Sequence, residues 1–595
     1  MELGGLLAFI PCGSVCTAWQ DSHLDGLSMS WRDKTYEVLP ALSVRGKELR
    51  HSLRLVTVAW MWGVVWMTCI SGDQMRSFAK MLGFNDFAFG LLGAIPFLAT
   101  LGQLFAALIV ERTGLRKFVF MDTMIVSRAM WVVIALVPIV FFPGREGSAT
   151  AVAVALMLLA ATNLMAHMAT PPWWTWMGDL IPRRIRGRYF ARRAQWATLV
   201  QVVVIVVISL SLDYIAGGRN PGNENAVENY NLLVAICIIF AVGSIFGIID
   251  VALFRKVREV FPPHDDKPRK PTFDFHVPRP KRLTPLSMIR MGGHYTGSFV
   301  NQVLLDPLGD RVFRHYVCYG AALTFTMTVG GWYFWLHCRE NLGFNTLASN
   351  CLFLVIGPLS ATLTAGWWGK LIDRWGRRPV LIVATIATAI STLPWFVADR
   401  GNPSPQFVID WINGAGSLIG GIFGHGGMLL LDEHSAPLTG AYLLAALGCI
   451  IGGSAWTGVS LAQQAIILGF SDGGGRNKYV AASSVLINLG GVLGGIVGGL
   501  TAEYFKGAIF VVGPLLLNNY HLTFALGMFV RLISLFWLYD MPDPGSRKVR
   551  DMLKYVSENA YNAVAGRLFY PLRVFGWGGR ASKPNGETNK ERRSQ

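Results

Sequence analysis

The chain has 595 residues, 52% of them hydrophobic and only 15% charged, with 20 Trp, 35 Phe, 65 Gly and a formal net charge of +17. An ordinary soluble protein is about a quarter charged, so soluble multidomain, disordered and nucleic-acid-binding classes are excluded and an integral membrane protein remains. Of eight cysteines, Cys69, Cys237, Cys318, Cys338, Cys351 and Cys449 lie in or beside apolar runs, without CxxC or His-rich spacing, so no disulfide framework, metal site or cofactor is expected.

Residues 1–52 form a cytoplasmic N-terminal segment in this reading; residues 1–27 lack a basic n-region and a cleavage site, so no signal peptide is expected there. A helical crossing needs about 20 apolar residues. Such runs occupy 53–72, 86–110, 118–142, 148–178, 195–216 and 230–254. They resume at 315–338, 346–370, 378–398, 440–468, 479–501 and 519–539. The predicted fold is therefore all-α, an integral membrane protein with twelve transmembrane helices in two six-helix bundles, 53–254 and 315–540. A linker rich in Pro and basic residues joins them at 255–314, and a polar, basic tail follows at 541–595. Residues 407–431 are apolar enough to suggest a further crossing, but one there would put the next basic loop on the wrong side. They are read as a re-entrant or surface-lying part of an external insertion at about 402–438.

Lys and Arg concentrate in the even-numbered connections, as in the run Arg183, Arg184, Arg186, Arg188, Arg192 and Arg193 after the fourth span. The positive-inside bias places those connections and both termini in the cytoplasm of a cell (inner or plasma) membrane. The basic charge then meets anionic membrane lipid, not nucleic acid. The halves also repeat one another. Leu82-Gly83-Phe84-Asn85 recurs as Leu342-Gly343-Phe344-Asn345, and Glu111-Arg112-Thr113-Gly114-Leu115-Arg116 meets Asp373-Arg374-Trp375-Gly376-Arg377-Arg378. Parallel six-span repeats place a solute site between the halves near mid-membrane.

The loop after the eighth span, Gly369-Lys370-Leu371-Ile372-Asp373-Arg374-Trp375-Gly376-Arg377-Arg378, lets two helices reverse at the membrane face between an acid and several bases. It resembles the signature loop of the major facilitator superfamily, and the resemblance covers roughly 53–540. In that family the loop's acid and arginines hold the cytoplasmic side closed. The resemblance thus implies a gating role for Gly369, Asp373, Arg374, Gly376, Arg377 and Arg378, and for Glu111, Arg112, Gly114 and Arg116 in the first half. Asp179, at the end of the fourth span, is a candidate partner for Arg112 or Arg116. The first-half copy departs from the pattern, with Ala107 for Gly and Glu111 for Asp. The fourth-span pattern of many proton-coupled members and the fifth-span pattern of drug–proton antiporters are missing, and glycines instead fill the eleventh span (Gly490, Gly491, Gly494, Gly495, Gly498, Gly499), which suits close packing or a rocking surface.

Ionisable groups inside a bilayer are costly and so are functional candidates. Arg128 and His167 are the best placed, with Asn163 one turn from His167, and Arg531 is a second buried base; Asp122, Asp213 and Asp250 are assigned to interfacial or capping roles near helix ends. The family's cavity is lined by spans 1, 4, 7 and 10, which supply Trp62, Trp66, Asn163, His167, Thr328, Trp332, Trp456, Ser460, Gln463 and Gln464, with Asn488 added from the eleventh. Aromatic faces and amides with few charges suit a neutral, sugar-like solute. No catalytic constellation or nucleotide-binding loop is present, so the chain reads as a non-enzymatic, monomeric secondary transporter of a small solute, His167 being the candidate for a coupled proton. The alternatives are a lipid or cell-wall-fragment permease and a non-transporting sensor or assembly protein.

Overall fold

The computed structural model describes residues 46–113, 115–141, 148–216, 230–259, 301, 305–422, 431, 436–469, 476–539, 541 and 549–555. Eleven helices among the described residues are long and apolar enough to cross a membrane: α1 Gly46–Cys69, α2 Asp86–Ala106, α3 Arg116–Phe141, α4 Ala149–Leu180, α5 Arg192–Ala216, α6 Tyr230–Lys256, α8 Thr346–Trp375, α9 Arg377–Val397, α10 Ala436–Ile466, α11 Ala482–Tyr504 and α12 Asn519–Tyr539. The twelfth expected crossing, α7, is helical over Arg311–Leu336. It is less apolar because it opens with Arg311, Arg314 and His315 and carries Thr324, Thr326 and Thr328 midway. Those hydroxyls are satisfied within the bundle, Thr324 Oγ1 donating to the Gly320 carbonyl at 2.8 Å and Thr328 Oγ1 to that of Gly491 at 2.8 Å.

The repeated Leu-Gly-Phe-Asn has a local cause. Gly83 (φ 92°) and Gly343 (φ 75°) take the left-handed conformation that ends one helix. Two residues later Asn85 and Asn345 cap the next, their Oδ1 atoms accepting from the Ala88 and Ala348 amides at 2.9 and 2.8 Å. Each cap contributes about 1 kcal/mol. The flanking Leu82, Phe84, Leu342 and Phe344 are all buried.

Several elements among the described residues lie outside the twelve-helix scheme. A helix over Asp73–Met81 joins α1 to α2. Its charged composition hides it from a reading by hydropathy, yet Asp73, Gln74, Arg76 and Ser77 are buried. A short hairpin, β1 (Phe510–Val512) and β2 (Leu515–Leu517), pairs antiparallel with Phe510 opposite Leu517, a small exception to the all-α expectation. In the insertion, Gln406–Ile422 is one helix of 17 described residues, at the lower end of the length that a crossing needs. The chain comes back alongside it, the Leu431 amide donating to Asn413 Oδ1 at 2.8 Å.

The glycine pairs of α11 form two stripes with different neighbours. Methyl groups at Gly490, Gly494 and Gly498 would strike the α7 backbone at Ala321, Phe325 and Val329. At Gly491, Gly495 and Gly499 they would strike α2, at Phe97, at Gly90 with Ala94, and at Phe87. One stripe therefore packs within the second half, and the other seals it to the first. The apolar core divides accordingly. One buried cluster includes Phe78, Phe89, Trp131 and Phe240 from the first half together with Tyr333, Leu336, Trp395 and Phe524 from the second. At the other end the core is split: one cluster around Phe313, Trp368 and Trp375 belongs to the second half, and one around Val56, Trp176 and Phe254 to the first.

Candidate functional site

In the first half the structure gathers Trp66 and Arg128 with a partner assigned elsewhere by the sequence. Asp250 is not an interfacial or capping residue: it is 6% exposed and its Oδ2 lies 3.6 Å from Arg128 Nη2. The guanidinium covers the Trp66 ring at 3.3 Å, and the Ser244 hydroxyl of α6 donates to the Arg128 carbonyl at 2.6 Å. Glycine makes the pair possible, since a methyl at Gly63 would lie 2.7 Å from Asp250 Oδ2, and one at Gly247 would lie 2.7 Å from Arg128 Cδ. Asp213 does act as a cap, accepting from the Thr346 and Leu347 amides at 2.9 Å each, and Asp122 is exposed. Arg193, unlike exposed Arg192, is buried, with its guanidinium 4.5 Å from the Trp60 ring centroid and 5.2 Å from that of Trp173.

The other candidates spread over several places. Trp62 stacks on Phe246 at 5.3 Å. Asn163 returns its amide to the Leu159 carbonyl at 2.8 Å, while His167 Nδ1 lies 3.3 Å from Gln103 Nε2 on α2. Thr328 is buried against α11, and Trp332 packs across the halves, 6.2 Å from Phe89. Ser460 and Gln464 are exposed and joined at 3.4 Å; Gln463 is half-buried, and Asn488 bonds the Ser484 carbonyl of its own helix. Trp456 belongs to a separate cavity with Arg531.

Of the signature-loop residues, Arg116 pairs with Asp179 at 2.7 Å. Gly376 ends α8 at φ 93°, Arg374 lies 4.1 Å over the Tyr555 ring, and Arg378 donates to the Tyr539 carbonyl. None of these partners lies in the opposite half. Arg377 is half-buried at the start of α9, Asp373 is exposed, and a methyl at Gly369 would meet nothing within 4 Å. Gly114 and the side chains of Glu111 and Arg112 lie outside the described residues.

The densest polar array, which sequence reasoning missed, joins the halves at the end bearing the α1–α2, α7–α8 and α11–α12 connections. Asp73 accepts from Arg76 Nε at 2.6 Å and lies 3.5 Å from Arg339 Nε, while its amide donates to Asn350 Oδ1 at 2.9 Å. Asn350 also donates to Gln74 and Ser209 at 3.2 and 2.9 Å. Lys80 meets Glu340 at 2.5 Å, and Tyr520 donates to Glu340 at 2.6 Å and to Asp86 at 3.3 Å. Asp86 further accepts from Asn519 at 3.0 Å, and Glu503 takes the Asp86 and Phe87 amides at 2.9 and 3.4 Å, a carboxylate at the N-terminus of a helix in the other half. The available signal was the repeated Leu-Gly-Phe-Asn turn, which marks two of the three connections at this end.

The fold and these contacts define a polytopic helical membrane protein of two repeated halves, joined through polar and small residues at one end. The family model described as Major Facilitator Superfamily matches residues 55–431, and the chain belongs to that superfamily. Its fold is shared with a single-site variant of the nucleoside transporter NupG (13% identity, 83% of this chain and 99% of that one, TM-score 0.51). A D-xylose–proton symporter (12% identity, 83% and 98%, TM-score 0.50) is also similar, as is a POT family transporter in complex with 5-aminolevulinic acid (12% identity, 82% and 96%, TM-score 0.50). At these identities the likeness is one of fold. No curated protein sequence matches the chain.

Proposed function

We propose that the protein is a secondary transporter moving a small solute by alternating access, and that this conformation faces the cytoplasm. The observation that carries the reading is the divided core, continuous across the halves at one end and separate at the other. With the basic connections placed in the cytoplasm, the joined end is external, and the loops at 111–117 and 370–378 lie where the halves are parted. Exposed Asp373 and the open space at Gly369 fit latch residues away from their closed-state partners. The similar folds of nucleoside, xylose and POT family transporters support small-solute transport in general, and the sequence expectation of aromatic and amide groups with few charges favours an uncharged, hydroxyl-bearing solute.

A thermal-shift screen of the purified protein against sugars, nucleosides, amino acids, organic acids and cell-wall fragments identifies the solute class, because a native-state ligand raises the apparent melting temperature with dose. Alternating access is then tested by placing cysteines at Lys80 and Glu340, whose side chains meet across the halves. Oxidation should stop uptake of the identified solute into proteoliposomes, and reduction should restore it. Uptake that continues with the cross-link formed would overturn the mechanism.

A further inference from the structure

A cavity of about 200 Å³ lies inside the second half, walled by Phe353, Ser391, Thr392, Trp395, Trp456 and Arg531 among others. It is open on one side, and every residue of its wall belongs to that half. Arg531 is 5% exposed. Its Nη1 donates to the Thr388 carbonyl at 2.9 Å and Thr392 Oγ1 at 2.8 Å, and its Nε to Thr326 Oγ1 at 3.2 Å. These acceptors are neutral, and Arg531 has no ion pair among the described residues. Among the described residues Nη2 makes no hydrogen bond, and Arg531 forms part of the cavity wall.

A full positive charge is thus held inside the membrane-spanning bundle without a counter-charge among the described residues, a costly arrangement unless something supplies one. The opposite wall is aromatic, with Phe353 and Trp395 stacked at 5.7 Å and Trp456 5.6 Å from the guanidinium carbon. Glycines let α10 approach α9 closely at this wall: a methyl at Gly448 would come within 3.0 Å of the Ser391 carbonyl, and one at Gly452 within 3.3 Å of its hydroxyl. The volume exceeds the roughly 150 Å³ cavity that accepts benzene. One positive charge calls for one negative charge, and a guanidinium edge beside a threonine hydroxyl matches a carboxylate.

We propose that this cavity binds a small aromatic monocarboxylate, its carboxylate on Arg531 and its ring against Trp395 and Trp456. Binding is read without flux, so this assignment and the transport reading can fail separately. The test is saturable binding of radiolabelled benzoate to the full-length protein in detergent, with benzamide as the neutral isostere and laurate as a carboxylate too long for the cavity. Benzoate should bind and be displaced by unlabelled benzoate, not by benzamide, and Arg531→Gln should weaken it at least about tenfold. No saturable binding, displacement by benzamide as readily as by benzoate, or tighter binding of laurate would overturn the proposal. If Arg531→Gln does not fold, the displacement pattern on the native chain still decides.

Discussion

Arg128 shows how one side chain can be legible while its partner is not. Its position within an apolar run marks it from the sequence, whereas Asp250 stands close to the end of the run read as 230–254. The helix continues to Lys256, and distance along the chain does not reveal that α6 turns this carboxylate inward, toward space left by Gly63 and Gly247. Removing the acid alone leaves a buried cation, so Asp250→Asn should lower unfolding free energy by roughly 3–5 kcal/mol, read as a fall in apparent melting temperature. The double variant Arg128→Gln, Asp250→Asn should recover part of that loss, and equal destabilisation by single and double variants would argue against a direct pair. His167 poses a separate question. Its ring sits beside Gln103, which can orient one nitrogen and leave the other for a proton. If it couples transport to protons, uptake should vary between about pH 5 and 8 and His167→Ala should flatten the profile; an unchanged profile would dismiss the coupling role.

Among the elements, α11 is the most informative. Its paired glycines could be read as a packing surface, but periodicity along one helix cannot say which neighbour each stripe meets. The structure assigns Gly494 to α7 within a half and Gly495 to α2 across the halves. Gly494→Ala should therefore damage folding, with lower yield and melting temperature. Gly495→Ala should leave the half intact while disfavouring closure at this end, so that labelling of an introduced Ser349→Cys, a position buried there in the closed arrangement, becomes faster. The same labelling rate in both variants would mean that the stripes are not functionally divided. The helix Asp73–Met81 marks the opposite limit of sequence reading. Its charges look like a solvated face, and only the other half, folded over it, makes them interior.

For the whole molecule, the twelve-helix, two-half plan was legible because bilayer thickness fixes run length and the repeat recurs in plain residues. The cross-half array was not, since its members lie hundreds of residues apart in the chain. Glu503 illustrates the energetic scale. Replacing it with alanine removes the charge that caps α2 from the other half and should shift the balance toward opening at that end, about fivefold for each 1 kcal/mol lost. The same Ser349→Cys labelling measures that shift, and an unaltered rate would assign Glu503 a local structural role only. The seam between α2 and α11 has a kinetic consequence. Where Gly90 faces Gly495 and Gly499, no side chain must change rotamer for the surfaces to part, so that stretch can separate and rejoin without passing through an interlocked intermediate. Under the proposed rocking of the halves, the slow step would then fall to rehydrating Asp73, Asp86, Glu340 and their partners, and a handful of polar groups at one rim would set the pace of turnover.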